Sequence, residues 1–186
     1  MAISDLKPSH EKALMLAALS GFKIALGPAF LRASQRSKST SGWAATALGE
    51  MALDKLGVFP ARYRPILLIP HTVAGAWTAH ESLKEDGEDD PAIVAAAAVV
   101  AAGVTVTLPI LRIALHKGLG IPEFILGFAE DYLALRVGSQ AVGMSMEQIG
   151  QVARESVEGL GVPVKPTFDD FAEKLRPTLQ KVGVEV

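Results

Sequence analysis

AIVAAAAVVAAGVTVTLPIL, residues 92–111, is twenty residues without a charge. As a helix it rises about 30 Å, the depth of a bilayer's hydrocarbon core. Its alanines are only mildly apolar, so the stretch also fits the buried central helix of a soluble bundle. Working outward, four more apolar segments flank it: about 13–31, interrupted by Lys23; about 42–58, containing Glu50, Asp54 and Lys55; 65–79, uncharged and including His71; and about 120–142, containing Glu123, Glu130, Asp131 and Arg136. Hydrophobic residues make up 49% of the 186, and mean hydropathy is +0.31, above the usual soluble range. We therefore expect an all-α integral membrane bundle of four to five short helices. Residues 1–142 form that bundle, and 143–186 a soluble, amphipathic helical tail.

The rest of the composition excludes more than it proposes. A net charge of −2 gives no basic excess for nucleic acid. The absence of cysteine excludes disulfides, thiol nucleophiles and cysteine-bound metals. The start, MAISDLKPSHEK, lacks the basic region and cleavage pattern of a signal peptide. Histidines 10, 71, 80 and 116 have no metal-ligand spacing. The acidic run EDGEDD (85–90) lacks the alternating ligands of a calcium loop and reads as a solvated turn. No catalytic motif is present. The expectation is no enzyme activity, no cofactor and no metal. Basic residues fall on both sides of a five-helix arrangement, so they give no orientation.

Two spacings suggest a duplication. Arg32 and Arg112 are 80 residues apart, and so are Glu50 and Glu130. GPAFLR (27–32) parallels LPILR (108–112), and ALGEMALDKLG (47–57) parallels GFAEDYLALRVG (127–138). The repeat halves would be about 13–58 and 92–142. If segment 65–79 spans, the halves are inverted, as in transporters with sites at the repeat interface.

Charges inside apolar segments need partners, because each costs at least about 2.5–3.5 kcal/mol at bilayer depth. Glu50 and Asp54 share a helix face, and Glu130 and Asp131 occupy the corresponding place. These four are the candidate buried polar or ion-binding residues. Lys55, Arg32, Arg112 and Arg136, with Lys23, are candidate charge partners. Two uses remain open: a cation- or proton-binding set between the halves, or ion pairs that lock helix packing. Glycines and alanines at 21, 27, 75, 97, 101 and 127 suit close helix packing in lipid. Ser145 with Gln148 forms a capping-box pattern that opens a helix to about residue 159, and Thr167 with Asp170 suggests another.

The stretches SGFKIALGPAFL (20–31), GEMALDKLGVFPARYRP (49–65), HTVAGAWTA (71–79) and LGIPEFILGFAEDYLALRVG (119–138) resemble a family of small bacterial membrane proteins, domain of unknown function 4126. The resemblance covers roughly residues 13–140. It implies a multi-spanning protein of the bacterial inner membrane and no particular activity. The functional expectation is passage or binding of a small solute or ion between the halves, with Glu50 and Glu130 as the central polar groups and Asp54 and Asp131 tuning them. One alternative is an accessory subunit of a larger membrane complex, and another is a soluble all-helical binding domain. Expected partners are the lipid bilayer and other membrane subunits or further copies of the chain.

Overall fold

The computed structural model describes residues 6–55, 65–159 and 161, with the side chains of Lys55 and residues 65–67 excepted. Within them the chain is all-helical, with no strand. The helices are α1 (Pro8–Phe22), α2 (Leu26–Ser34), α3 (Thr40–Lys55), α4 (Pro65–Glu85), α5 (Pro91–Leu119), α6 (Glu123–Val142) and α7 (Met146–Glu158).

Local chemistry accounts for most boundaries. Pro91 opens α5 behind Asp90, whose side chain accepts from the backbone N–H of Ala92 and Ile93. Gly120 ends α5 and Gly143 ends α6, each in the left-handed conformation that glycine enters without a Cβ clash. The Ser145–Gln148 capping box opens α7 as expected. The residues RIALHKGL (112–119), beyond the uncharged run, are the last two turns of α5, which continues to the left-handed Gly120. The expected helix after Thr167 lies outside the described residues.

The apolar segment 13–31 does not form one helix. Lys23 is extended (φ −145°, ψ 136°) and separates α1 from α2. Gly27 lies against the Leu16 carbonyl and Ser20, so α2 folds back along α1. The partners of the two outer ends agree with this reversal. Lys12 near the start of α1 pairs with Glu85 and Asp86, and Arg32 near the end of α2 pairs with Glu81, all at the C-terminal end of α4. The hairpin therefore turns in mid-bundle.

Helices α1, α4 and α5 pack through small side chains. A Cβ on Gly21 would lie 2.6 Å from the Ala101 carbonyl, and one on Gly75 would overlap the Ala101 methyl. The larger apolar core gathers Leu16, Leu19 and Phe22 of α1 with residues of α2, α3 and Ala134 of α6. Helix α7 docks on α3, with Ile149 against this core, so the chain after Gly143 begins as part of the bundle. Much of what is buried is polar, and much of what is exposed is apolar. Ser20, Thr78, Ser82 and Thr105 are fully buried, whereas Val99 is 72% and Ile69 61% exposed. Among the described residues one helix, α5, is long and apolar enough to cross a membrane, and 17% of its apolar window is buried.

The acidic turn after α4 is tied down. Glu88 accepts from Lys7 Nζ (3.1 Å), Ser9 Oγ (3.0 Å) and His10 Nε2 (2.9 Å). The hydrogen bonds from Lys7 and Ser9 lead in holding its carboxyl below the usual 4.5. A carboxyl lowered in the folded state stabilises the fold above its unfolded value, and that stabilisation disappears as pH falls through the folded value. Denaturant unfolding should therefore show a stability loss that develops below about pH 4.5 and is smaller in Glu88→Gln. An equal pH dependence in the two proteins would remove the clamp as its source.

Candidate functional site

The break between α1 and α2 leaves backbone groups without helical partners, and side chains from four other elements meet there. At the end of α1, the Ser20 carbonyl accepts from His71 Nδ1 of α4 at 2.6 Å, and the Gly21 carbonyl from Thr105 Oγ1 of α5 at 3.2 Å. At the start of α2, the Ala25 N–H donates to a Glu50 carboxylate oxygen of α3 at 3.1 Å. Glu50 thus sits at the positive end of α2's dipole, where a carboxylate is stabilised. Every group named here is buried or half-buried.

Lys23 occupies the break and is 4% exposed. Its Nζ lies 3.1 Å from Asp54 Oδ2, 3.7 Å from Glu130 Oε1 and 3.6 Å from Asp131 Oδ1. Arg112 reaches the same centre from α5, with Nη1 3.5 Å from Asp54 Oδ2 and 3.9 Å from Glu130 Oε2. Gly127 makes that approach possible, since a Cβ there would collide with the guanidinium. One oxygen, Asp54 Oδ2, serves both cations. The four carboxylates make further interactions besides these.

The four acids singled out from the sequence therefore converge, but with a different emphasis. The two glutamates read as central and the aspartates as tuning them. In the structure Asp54 is the shared acceptor, and Glu50 caps a helix. The candidate charge partners separate. Arg112 belongs to the cluster. Arg32 does not: it pairs with Glu81 at 3.1 Å and lies over the Trp77 ring, which also meets Trp43. The short α2 carries Arg32 to Glu81 at the C-terminal end of α4, away from the cluster that Arg112 joins. Arg136 is exposed on α6, one helix face away from Asp131. The side chain of Lys55 lies outside the described residues. Lys23, read mainly as an interruption, is the hub. Its extended backbone was not legible, because nothing adjacent in the chain satisfies the groups it frees.

Among the described residues no group of three or more histidine or acidic side chains could hold a metal ion. An apolar pocket of about 50 Å³ lies between α2, α3, α6 and α7, lined by residues such as Phe30, Met51, Leu135 and Ile149. None of the six cluster residues borders it. No family model matches the chain, nor does any curated protein or solved structure.

Proposed function

We propose that the chain is an integral membrane bundle that binds or passes a small solute or ion at the charged break between α1 and α2. The observation that carries this reading is the combination of a broken helix, six charged side chains gathered at it, and apolar outer faces on α4, α5 and α6. Lipid requires every backbone polar group to find a protein partner, and the break has its caps from His71, Thr105 and Glu50. A soluble core helix would be mostly buried, whereas the α5 window is 17% buried. In this reading α5 crosses the membrane, with α4 and α6 packed beside it. The α1–α2 hairpin is re-entrant, which is tolerated where it is enclosed by protein.

The inverted repeat belongs to the same proposal. The α2–α3 turn lies at the end of the bundle near Glu81, and the α5–α6 turn at the opposite end, beyond Arg112. Opposed hairpins are what two inverted halves would give. The residues carrying the resemblance to domain of unknown function 4126 include those that build the break, which is why we also propose that membership and a bacterial inner-membrane location.

The test has two stages. After an alkaline carbonate wash the protein should remain in the membrane pellet, and release into the supernatant would sink the membrane reading. In proteoliposomes, Glu50→Gln and Glu130→Gln should abolish solute movement while folding is retained. A second reading, a subunit of a larger assembly, is favoured by Gly103 on the exposed face of α5, where an added Cβ would meet nothing. Stoichiometric partners recovered in mild detergent would support it over passage.

A further inference from the structure

We propose that the seam between α1 and α4 is a proton-entry track, running from Glu88 at the surface to the charged break. The two helices pack against each other along their length. Five polar side chains lie in the seam: His10 and Ser20 of α1, and His71, Thr78 and Ser82 of α4. None is more than 7% exposed. On α4 the spacing 71, 78, 82 keeps one face, at two turns and then one. On α1, His10 and Ser20 flank Ala13 and Ala17, which pack with Ala79 and Leu83 of α4. The helices are antiparallel: Gly75 lies against the Ala17 carbonyl, and Lys12 pairs with Glu85 and Asp86. That register sets Ser82 opposite His10.

Two of the five have atoms that helix packing does not account for. His10 Nδ1 and Ser82 Oγ are buried and have no hydrogen-bond partner among the described residues. Alanine, used in the same seam at 13, 17 and 79, would avoid the cost of burying them. The other ring nitrogen, His10 Nε2, meets Glu88 Oε2 at 2.9 Å and lies 3.8 Å from Asp90 Oδ2. Glu88 also holds Lys7 and Ser9, and its side chain is 25% exposed, so it reaches solvent. The His10 ring thus joins a surface carboxylate to a buried, unpaired nitrogen. Deeper in, the Ser20 and Thr78 hydroxyls are 3.5 Å apart. His71 Nδ1 donates to the Ser20 carbonyl at 2.6 Å, at the break where Lys23 meets Asp54. Ser82 and Thr78 are one turn apart on one face, about 5–6 Å between Cβ atoms, a gap that one bridging water covers. An imidazole suits the relay: a proton taken at Nε2 from Glu88 is matched by one released from Nδ1, so no charge accumulates. A hydroxyl likewise accepts one proton and gives up its own. Return of the ring to its first tautomer completes the cycle. Gly75 packs against Ala17 and Ala101, so the seam has no room for a hydrated ion, and a proton is the ion that moves by exchanging hydrogen bonds. This names the ion for the passage reading and rests on that reading for its use, while the track has a test of its own.

The experiment follows the His71 Nδ1 proton of the purified full chain in detergent, measuring its exchange with water by ¹⁵N NMR. Ser82→Ala removes a hydroxyl that has no partner to lose, so its stability should equal or exceed the parent's. Its exchange should nevertheless slow by about tenfold or more, and Ser82→Thr should restore it. In proteoliposomes loaded with a pH-sensitive dye, an imposed pH gradient should collapse through the parent and Ser82→Thr, and much more slowly through Ser82→Ala. Exchange in Ser82→Ala as fast as in the parent overturns the track. So does a Ser82→Ala chain that is markedly less stable, since the hydroxyl is then structural, or one whose proton flux equals the parent's. Slowed exchange in Ser82→Ala with no proton flux through the parent keeps the track as proton access to the cluster and loses only the passage reading.

Discussion

Lys23→Met should destabilise the fold by about 3–5 kcal/mol, the usual cost of removing one partner from a buried ion pair. Lys23 is 4% exposed and serves Asp54, Glu130 and Asp131. Without its ammonium, Asp54 and Glu130 keep the longer Arg112 contacts, at 3.5 and 3.9 Å, and all three carboxylates lose their buried ammonium. Methionine matches the stem of lysine in size, so little of the loss comes from packing. The measurement is denaturant unfolding of parent and variant in the same detergent. Lys23→Arg keeps the charge and should lose less. A variant as stable as the parent would mean the cluster is not held by this cation, and the site would need another hub. For comparison, a pair as exposed as Lys7 with Glu88 contributes far less, because solvent and salt screen it.

The second large effect is steric. Gly21→Val should cost about 3 kcal/mol or more, at or beyond the upper end for overpacking a core. The first added carbon would already lie 2.6 Å from the Ala101 carbonyl and 2.7 Å from the Val104 Cβ. A backbone carbonyl cannot rotate away as a side chain can, so α1 and α5 must separate. Separation also pulls Thr105 from the Gly21 carbonyl, uncapping α1 at the break. Gly42→Ala supplies the contrast. A Cβ there meets nothing within 4 Å, and alanine at a helical position that accepts it stabilises by about 0.4–1 kcal/mol, chiefly by restricting the unfolded chain. Opposite signs for the two substitutions are the expected result in thermal or denaturant unfolding. Gly21→Val behaving like Gly42→Ala would show that α1 and α5 are not in contact at this level.

Sequence alone determined whatever depends on neighbours in the chain. The Ser145–Gln148 box acts within a few residues, so the start of α7 could be read directly, and Asp90–Pro91, Gly120 and Gly143 set their helix ends by equally local chemistry. The uncharged run 92–111 announced a long apolar helix, and the acids at 50, 54, 130 and 131 announced a need for buried partners. The choice of partner was decided only by tertiary structure. Lys23 meets Asp54 across 31 positions, and His10 meets Glu88 across 78. Local periodicity carries no record of such distances. The break at Lys23 follows the same logic: within 13–31 a continuous helix satisfies its own backbone, and breaking it is favourable only because His71, Thr105 and Glu50 arrive from other helices to take up the freed groups. Arg32 and Arg112 look equivalent in sequence for a related reason. Their spacing is local information, but α2 turns back after the break and carries Arg32 to Glu81, while the unbroken α5 carries Arg112 to the centre.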